Sequence, residues 1–417
     1  MIAKLAWKNI WFKPLNTVLS VILLSSSVAI ITTLILVEKQ IEEKFSSNIE
    51  DVDLVLGAQG SPLQLILSSV YQVDAPTGNI NYDSAKVWMN NPYVEKAIPL
   101  AFGDNYRGYK ILGTTHDYLT KFKTKVSDGR LYDKNFEVVV GSEIAQKLNI
   151  SVGDEFFGSH GDAAEGEVHE NYAYKVVGIA SQTGKVVDNL ILCTIPTVWQ
   201  MHHEHEENPA HGEEGHVHEE CEHEHEDSDL TLDEPNMEIT AVLLKIRNQM
   251  AKLTWQRVIP QNTKMQAVSP AFEVNRLFGL FGIGVTALQY LAYGIMLISG
   301  ISIFIALFNT LKERKAEFAL MRVNGARRFQ LLKVVMIESL LLCVVGFVFG
   351  TILGRVALSF LSNSSEEDFK MSFNPYEFLW EKEGTLFLVT IFVGFIAALI
   401  PAIKAYNLNI SKTLANA

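Results

Sequence analysis

The sequence predicts a membrane protein with four transmembrane α-helices and a large α/β extracytoplasmic domain between helices 1 and 2. Three observations carry that reading. Hydrophobic residues make up 48% of the 417. Four uncharged runs approach or exceed the roughly 20 apolar residues that a helix needs to cross a bilayer. Between the first and second runs lie about 240 residues, too many for a connecting loop, with strand-like patterning.

The spans follow from charge-free intervals. Residues 15–37 form the first, and residues 1–14 before it read as an amphipathic helix. Residues 277–311 are 35 without a charge and place the second span at 279–311. Between Glu338 and Arg355 lie 16 uncharged residues, so a third span over 333–361 requires Arg355 to snorkel. Between Glu383 and Lys404 lie 20, giving a fourth at 384–404. The first span also has the position of a cleaved signal peptide. Its apolar run is too long for that, and no clear A-x-A site follows.

Basic residues orient the chain. Lys4, Lys8 and Lys13 precede the first span. Lys312, Arg314, Lys315, Arg322, Arg327, Arg328 and Lys333 lie between spans two and three, and Lys404 and Lys412 in the tail. Segment 362–383 carries two lysines against six carboxylates. Both termini (tail 405–417) and segment 312–332 are therefore expected in the cytoplasm, and residues 38–278 outside. The net charge of −12 comes entirely from twelve carboxylates at 201–229; the rest balances at 35 acidic and 35 basic, which gives no footing for nucleic acid. The three cysteines are widely spaced and make no disulfide framework.

In the external domain, residues 53–57, 94–112, 136–140, 174–179, 190–195 and 240–245 read as strands, the second run being two strands joined by the turn GDNYRG. GIASQTGK at 178–185 imitates a phosphate-binding loop. It has five residues between the glycines instead of four, and Val186 follows the lysine, so it reads as a strand and a turn. Residues 61–80, SPLQLILSSVYQVDAPTGNI, are either a partner-contact segment or a helix packed on the sheet.

Residues 311–333, LKERKAEFALMRVNGARRFQLLK, alternate charge with apolar residues at helical spacing. Phe318, Met321, Phe329 and Leu332 form an apolar edge, and Gly325 breaks the run into a helix, a turn and the start of the third span. Within it, ERKAEFALMRVNGARRFQL resembles the motif between the second and third helices of FtsX-like/MacB-like ABC transporter permeases. Glu313, Arg314, Glu317, Phe318, Met321, Arg322, Gly325, Ala326 and Leu331 fit; Asn324 stands where an aliphatic residue is usual. The opening LAWKNIWFKPLNTVLSVILL, the stretches GRLYDKNFEVVVGSEIAQKLNISVGDEF and YKVVGIASQTGKVVDNLILCTIP, and the close IPAIKAYNLNISKTLANA resemble other parts of that family in order.

The resemblance implies a multi-pass protein of the bacterial inner membrane with a periplasmic core domain. It implies a partner: a separate cytoplasmic ABC ATPase that binds the ATP, seated on a coupling segment that includes Arg327. It further implies a second permease copy, making a homo- or heterodimer, and mechanotransmission to a periplasmic or lipoprotein partner. No catalytic residue and no intrinsic cofactor are expected of this chain. The second span carries no ionisable side chain, which disfavours an ion channel or secondary transporter.

Two features remain. Gly346, Gly350 and Gly354 fall four apart on one helix face and allow close helix approach, within the chain or between copies. Segment 201–229, MHHEHEENPAHGEEGHVHEECEHEHEDSD, holds eight of the eleven histidines. In an extended chain the pairs His203/His205, His216/His218 and His223/His225 each point one way, with His202, His211 and Cys221 nearby. Imidazole, carboxylate and thiolate suit Zn²⁺. A solvated acidic insertion is the alternative. If the loop were the main site, the protein would be a zinc receptor or metal-transport component instead.

Overall fold

The structure, a computed structural model, describes residues 14–159, 168–207, 231–369 and 373–408. It divides into two units, Met1–Glu42 with Gly279–Ala417, and Glu43–Phe278.

In the first unit, four helices among the described residues are long and apolar enough to cross a membrane. They are α1 (Pro14–Ile49), α8 (Pro270–Glu313), α10 (Arg328–Phe369) and α11 (Trp380–Tyr406). Each is longer than its apolar run. A helix satisfies its backbone internally whatever its side chains, so the polar stretches at 38–49, 270–278 and 362–369 continue the helices where the charge-free intervals end. Leu24, Val28 and Ile31 of α1, Met296 and Ile303 of α8, Leu342 of α10 and Leu386 and Ala398 of α11 share one core.

The glycines of α10 face α1 of the same chain. A Cβ on Gly346 would lie 2.6 Å from Leu24, one on Gly350 2.6 Å from Val28, and one on Gly354 2.8 Å from the Ala29 carbonyl. Ser25 Oγ donates to Gly346 O at 3.1 Å and Thr33 Oγ1 to Gly354 O at 3.0 Å. Gly350→Leu is expected to push the two helices apart, at a cost of about 1–3 kcal/mol, read as a lower melting temperature in detergent. A melting temperature held at the wild-type value, with only the dimer lost, would instead put the stripe between copies.

Arg355 reaches into the segment between the third and fourth spans. Its guanidinium pairs with Glu383 Oε1 at 2.7 Å, donates to Glu377 O at 3.2 Å and lies over the Phe378 ring. Glu383 is only 2% exposed. Glu383 is thus packed within the helical unit, although the charge-free intervals treat it as a boundary. Nearby, Gln40 of α1 exchanges two 2.8 Å hydrogen bonds with the backbone of Asn374.

The second unit is an α/β domain. Its strands among the described residues are β1 (Leu54–Ala58), β2 (Ile80–Asn81), β3 (Val94–Tyr106), β4 (Tyr109–Thr114), β5 (Val126–Gly129), β6 (Glu137–Val140), β7 (Glu155–Ser159), β8 (Val168–Ala180), β9 (Ile191–Cys193), β10 (Glu238–Ile239), β11 (Ala241–Ile246) and β12 (Met265–Val268). Ten form one mixed sheet in the order β12-β1-β11-β3-β4-β9-β6-β8-β5, with β7 pairing β3 and β8. The pairs β4–β9 and β6–β8 are parallel.

Both faces of the sheet are covered, which is why EVVV of β6 is buried at every position. Val138 and Val140 point into one core with α3 (Tyr82–Met89), α5 (Ser142–Leu148), α6 (Ile195–Glu207) and α7 (Gln249–Asn262). Val139 points into the other, with α2 (Pro62–Ser69) and α4 (Asp117–Lys121). Residues 61–80 thus contribute a short helix whose Leu65 and Ile66 are buried.

The turn expected over GDNYRG is smaller. β3 runs on to Tyr106 through a register irregularity between Phe102 and Asn105, and the chain reverses at Arg107 and Gly108, both with positive φ. That two-residue reversal matches the twist of a hairpin.

Candidate functional site

The segment between α8 and α10 is built from three local devices. At Arg314 the backbone leaves the helix (φ −94°, ψ 17°), and its guanidinium, buried to 5% exposure, grips Glu317 Oε2 at 2.7 Å. The helix α9 (Lys315–Val323) follows. It stops at Gly325, whose φ of +95° favours glycine. Arg322 closes the turn by donating to Ala326 O at 2.8 Å. Gln330 then reaches back to accept from Arg327 N at 2.8 Å, starting α10.

The apolar edge read from the sequence is split by this geometry. Phe318 is 2% exposed and packs with Leu311, Leu331, Val334, Ala402 and Ala405; Met321, Ala326 and Leu332 pack against them. Those residues hold α9 on its own bundle. The outward apolar side chains are Leu320, Val323 and Phe329, at 53%, 60% and 57% exposure. Of these only Phe329 belongs to the predicted edge. A signal was present: FALMRV is apolar at five of six positions, more than one helix face needs, so α9 carries a second apolar face. Around it Glu313, Lys315, Glu317, Arg327 and Arg328 are exposed, and Lys333 Nζ sits 4.9 Å above the Phe329 ring.

This arrangement presents apolar anchors inside a mainly basic rim on a helix fixed by a buried aromatic, an ion pair and a capped turn. It suits a protein partner with an apolar slot and an acidic border.

The false phosphate loop is occupied by the chain itself. After β8, Thr183 N donates to the Asp188 carboxylate at 2.9 and 3.0 Å, Thr183 Oγ1 at 2.8 Å and Gly184 N at 2.6 Å. Donors that in such a loop would cradle phosphate are spent on a carboxylate five residues on.

Of the proposed metal ligands, His202, His203 and His205 fall in the last turns of α6. The backbone at His203 and His205 is helical, where the expectation took an extended chain. His211, His216, His218, Cys221, His223 and His225 lie outside the described residues. Among the described residues no group of three or more His, Cys, Asp and Glu is placed to hold a metal ion.

Comparison with known proteins agrees with both units. Residues 16–215 match the family model of the MacB-like periplasmic core domain, and residues 290–410 that of the FtsX-like permease C-terminal. The first match stops inside the His-rich segment, yet β11, after that segment, pairs with β1 and β3, so the sheet resumes beyond it. The macrolide export ATP-binding/permease protein MacB of Campylobacter jejuni is 29% identical over 114 residues, covering 27% of this chain and 17% of that protein. That of Agrobacterium fabrum is 28% identical over 120 residues, covering 29% and 18%. The chain therefore spans less than a fifth of these curated relatives.

Among solved structures, the periplasmic region of MacB from Actinobacillus actinomycetemcomitans aligns with 11% identity and a TM-score of 0.35, covering 56% of this chain and 97% of that one. The extracellular domain of the noncanonic ABC-type transporter YknZ from Gram-positive bacteria aligns with 12% identity and a TM-score of 0.30, covering 52% and 99%.

Among the described residues, four helices are long and apolar enough to cross a membrane, and a domain that matches the MacB-like periplasmic core lies between the first and second. The chain belongs with the ABC permeases of the FtsX/MacB type. The four helices and the core domain fit a protein of the inner membrane.

Proposed function

We propose that this chain is the membrane subunit of an ABC transporter complex in which a separate cytoplasmic ATPase docks on Leu320, Val323 and Phe329 and moves the α/β domain on the other side of the membrane. The carrying observation is the outward apolar face of α9 inside a basic rim. Two further features support it. The chain passes between its units at residues 42–43 and 278–279, and both crossings lie inside continuous helices, α1 and α8. The phosphate-loop look-alike is filled by Asp188, in keeping with a reading that gives ATP to the partner.

Both termini and segment 312–332 lie in the cytoplasm in this reading, on the count of basic residues. Two permease copies bind two ATPases. The moving domain releases or exports a lipoprotein or peptide, or drives a periplasmic partner. Co-expression with each ABC ATPase encoded in its genomic neighbourhood tests this. One of them is expected to copurify in detergent and to gain ATP turnover in the complex; retention of none counts against the reading.

The His-rich segment is read as an accessory Zn²⁺-binding insertion, because eight imidazoles and twelve carboxylates crowd 29 residues without a single Lys or Arg. Deleting residues 202–229 is expected to abolish Zn²⁺ retention, measured by elemental analysis after dialysis, and to leave ATPase association unchanged. The rival reading, a zinc receptor or transport component, predicts that the deletion abolishes all activity even in metal-replete medium.

A further inference from the structure

The last turn of α1 is held inside the α/β unit by three separate elements. Lys121, at the end of α4, donates from Nζ to Asn48 O at 2.7 Å. Val186 N, opening the 3-10 turn over Val186–Asn189, donates to Asn48 Oδ1 at 3.1 Å. Tyr71, just past α2, donates from Oη to Phe45 O at 2.9 Å, and its ring meets the Phe45 ring at 4.5 Å. Phe45 also meets Phe278 of α8 edge-on at 5.7 Å. Outside this, Glu50 pairs with Lys123 at 3.0 Å and Lys185 at 3.4 Å.

Physical chemistry makes this more than a helix end. The carbonyls of a final helical turn lack intrahelical donors, and water ordinarily serves them. Here a lysine exposed to only 7% serves one. Burying an ammonium is expensive, and burial pushes the Lys121 amine down to about 7. The placement is offset by the negative end of the helix dipole and the short hydrogen bond. Asn48, also 7% exposed, uses both ends of its amide, since Nδ2 donates back to Lys44 O at 2.9 Å. The Val186 amide that it meets belongs to the turn locked by Asp188. A loosely tethered domain would need none of these devices.

We propose that Asn48, Lys121 and Tyr71 are positioning residues that clamp the end of α1 to the sheet, so that axial or rotational movement of the membrane helix is handed to the α/β unit without slip. This rests on the ATP-driven movement proposed above. The clamp transmits; it touches neither nucleotide nor substrate.

The test uses the full chain with its copurified ATPase in nanodiscs, read by hydrogen–deuterium exchange. Without nucleotide, Asn48→Ala is expected to raise exchange over residues 44–50 at least about tenfold, the loss of one buried hydrogen bond or more. Asn48→Asp keeps an oxygen for Val186 N and is expected to stay near wild type. With ATP and vanadate, wild type is expected to change exchange in the α/β unit, Asn48→Ala to lose that change while retaining the ATPase, and Asn48→Asp to recover it. Lys121→Met, close in shape and without a buried charge, is expected to behave as Asn48→Ala and serves if that variant folds poorly. A wild-type nucleotide response in both Asn48→Ala and Lys121→Met overturns the clamp. No response in wild type overturns the ATP-driven reading and the transmission role with it, while the exchange at 44–50 still reports whether the clamp exists.

Discussion

Leu320→Asp combined with Val323→Asp is expected to weaken ATPase association at least about 30-fold, because two carboxylates placed in an apolar slot with an acidic border together cost about 2 kcal/mol or more. The double variant should still fold. Both side chains are more than half exposed, whereas the residues fixing α9 on its bundle are Phe318 and Arg314, at 2% and 5% exposure. Association measured by biolayer interferometry on detergent-solubilised permease separates the two roles. Phe318→Ala is expected to lower thermal stability by about 3–5 kcal/mol, as large-to-small core changes do, and to impair docking only through that loss. Arg322→Ala removes the bond to Ala326 O and leaves the turn at Gly325 less defined, so its effect on docking should be smaller than that of the double variant. Double-variant binding equal to wild type would move the docking face elsewhere.

The second large effect is expected at the buried pair of the membrane unit. Glu383→Ala leaves the Arg355 guanidinium, whose side chain is 21% exposed, with the Glu377 carbonyl and the Phe378 face alone, and the cost is expected to approach the about 3–5 kcal/mol of breaking a fully buried pair from one side. The carboxylate also accepts from Leu379 N at 3.4 Å at the start of α11, where a negative charge meets the positive end of the helix dipole. Replacing both partners, Arg355→Met with Glu383→Met, removes the desolvation cost together with the attraction and should restore most of the melting temperature. Equal destabilisation by the single and double changes would mean that each group has an independent role, such as proton or substrate handling.

The spans were legible because composition alone encodes them: a bilayer demands a charge-free run, and the sequence has four. Their ends were not. EKQIEEKFSSNI at 38–49 has no apolar run, yet it continues α1, since helix continuation depends on backbone hydrogen bonds and not on hydropathy. The strand cores were legible as β-branched runs such as EVVV. The irregularity that carries β3 through Gly103 and Asp104 was not, because glycine and aspartate between apolar residues look like a turn.

At the docking segment the turn at Gly325 could be read from Asn-Gly, but the sidedness of α9 could not. Phe318 and Leu320 are equally apolar, and only the position of α11, with Ala402 and Ala405 against Phe318, decides which faces outward. The pairing of Arg355 with Glu383 spans 28 residues and had no local signature. The glycine stripe was visible as spacing, while its partner, α1, lies some 320 residues away in the chain. In each case the local chemistry was readable and the partner supplied by tertiary packing was not.

The most direct measurement is site-specific photo-crosslinking. A photoreactive amino acid is placed singly at Val323, at Leu320, at buried Phe318 and at exposed Val87 in the α/β unit, in cells that produce the associated ATPase. The account predicts ATPase adducts from positions 323 and 320 and none from 318 or 87. Adducts from position 87, or none from either 320 or 323 in a chain that otherwise folds and assembles, would contradict it.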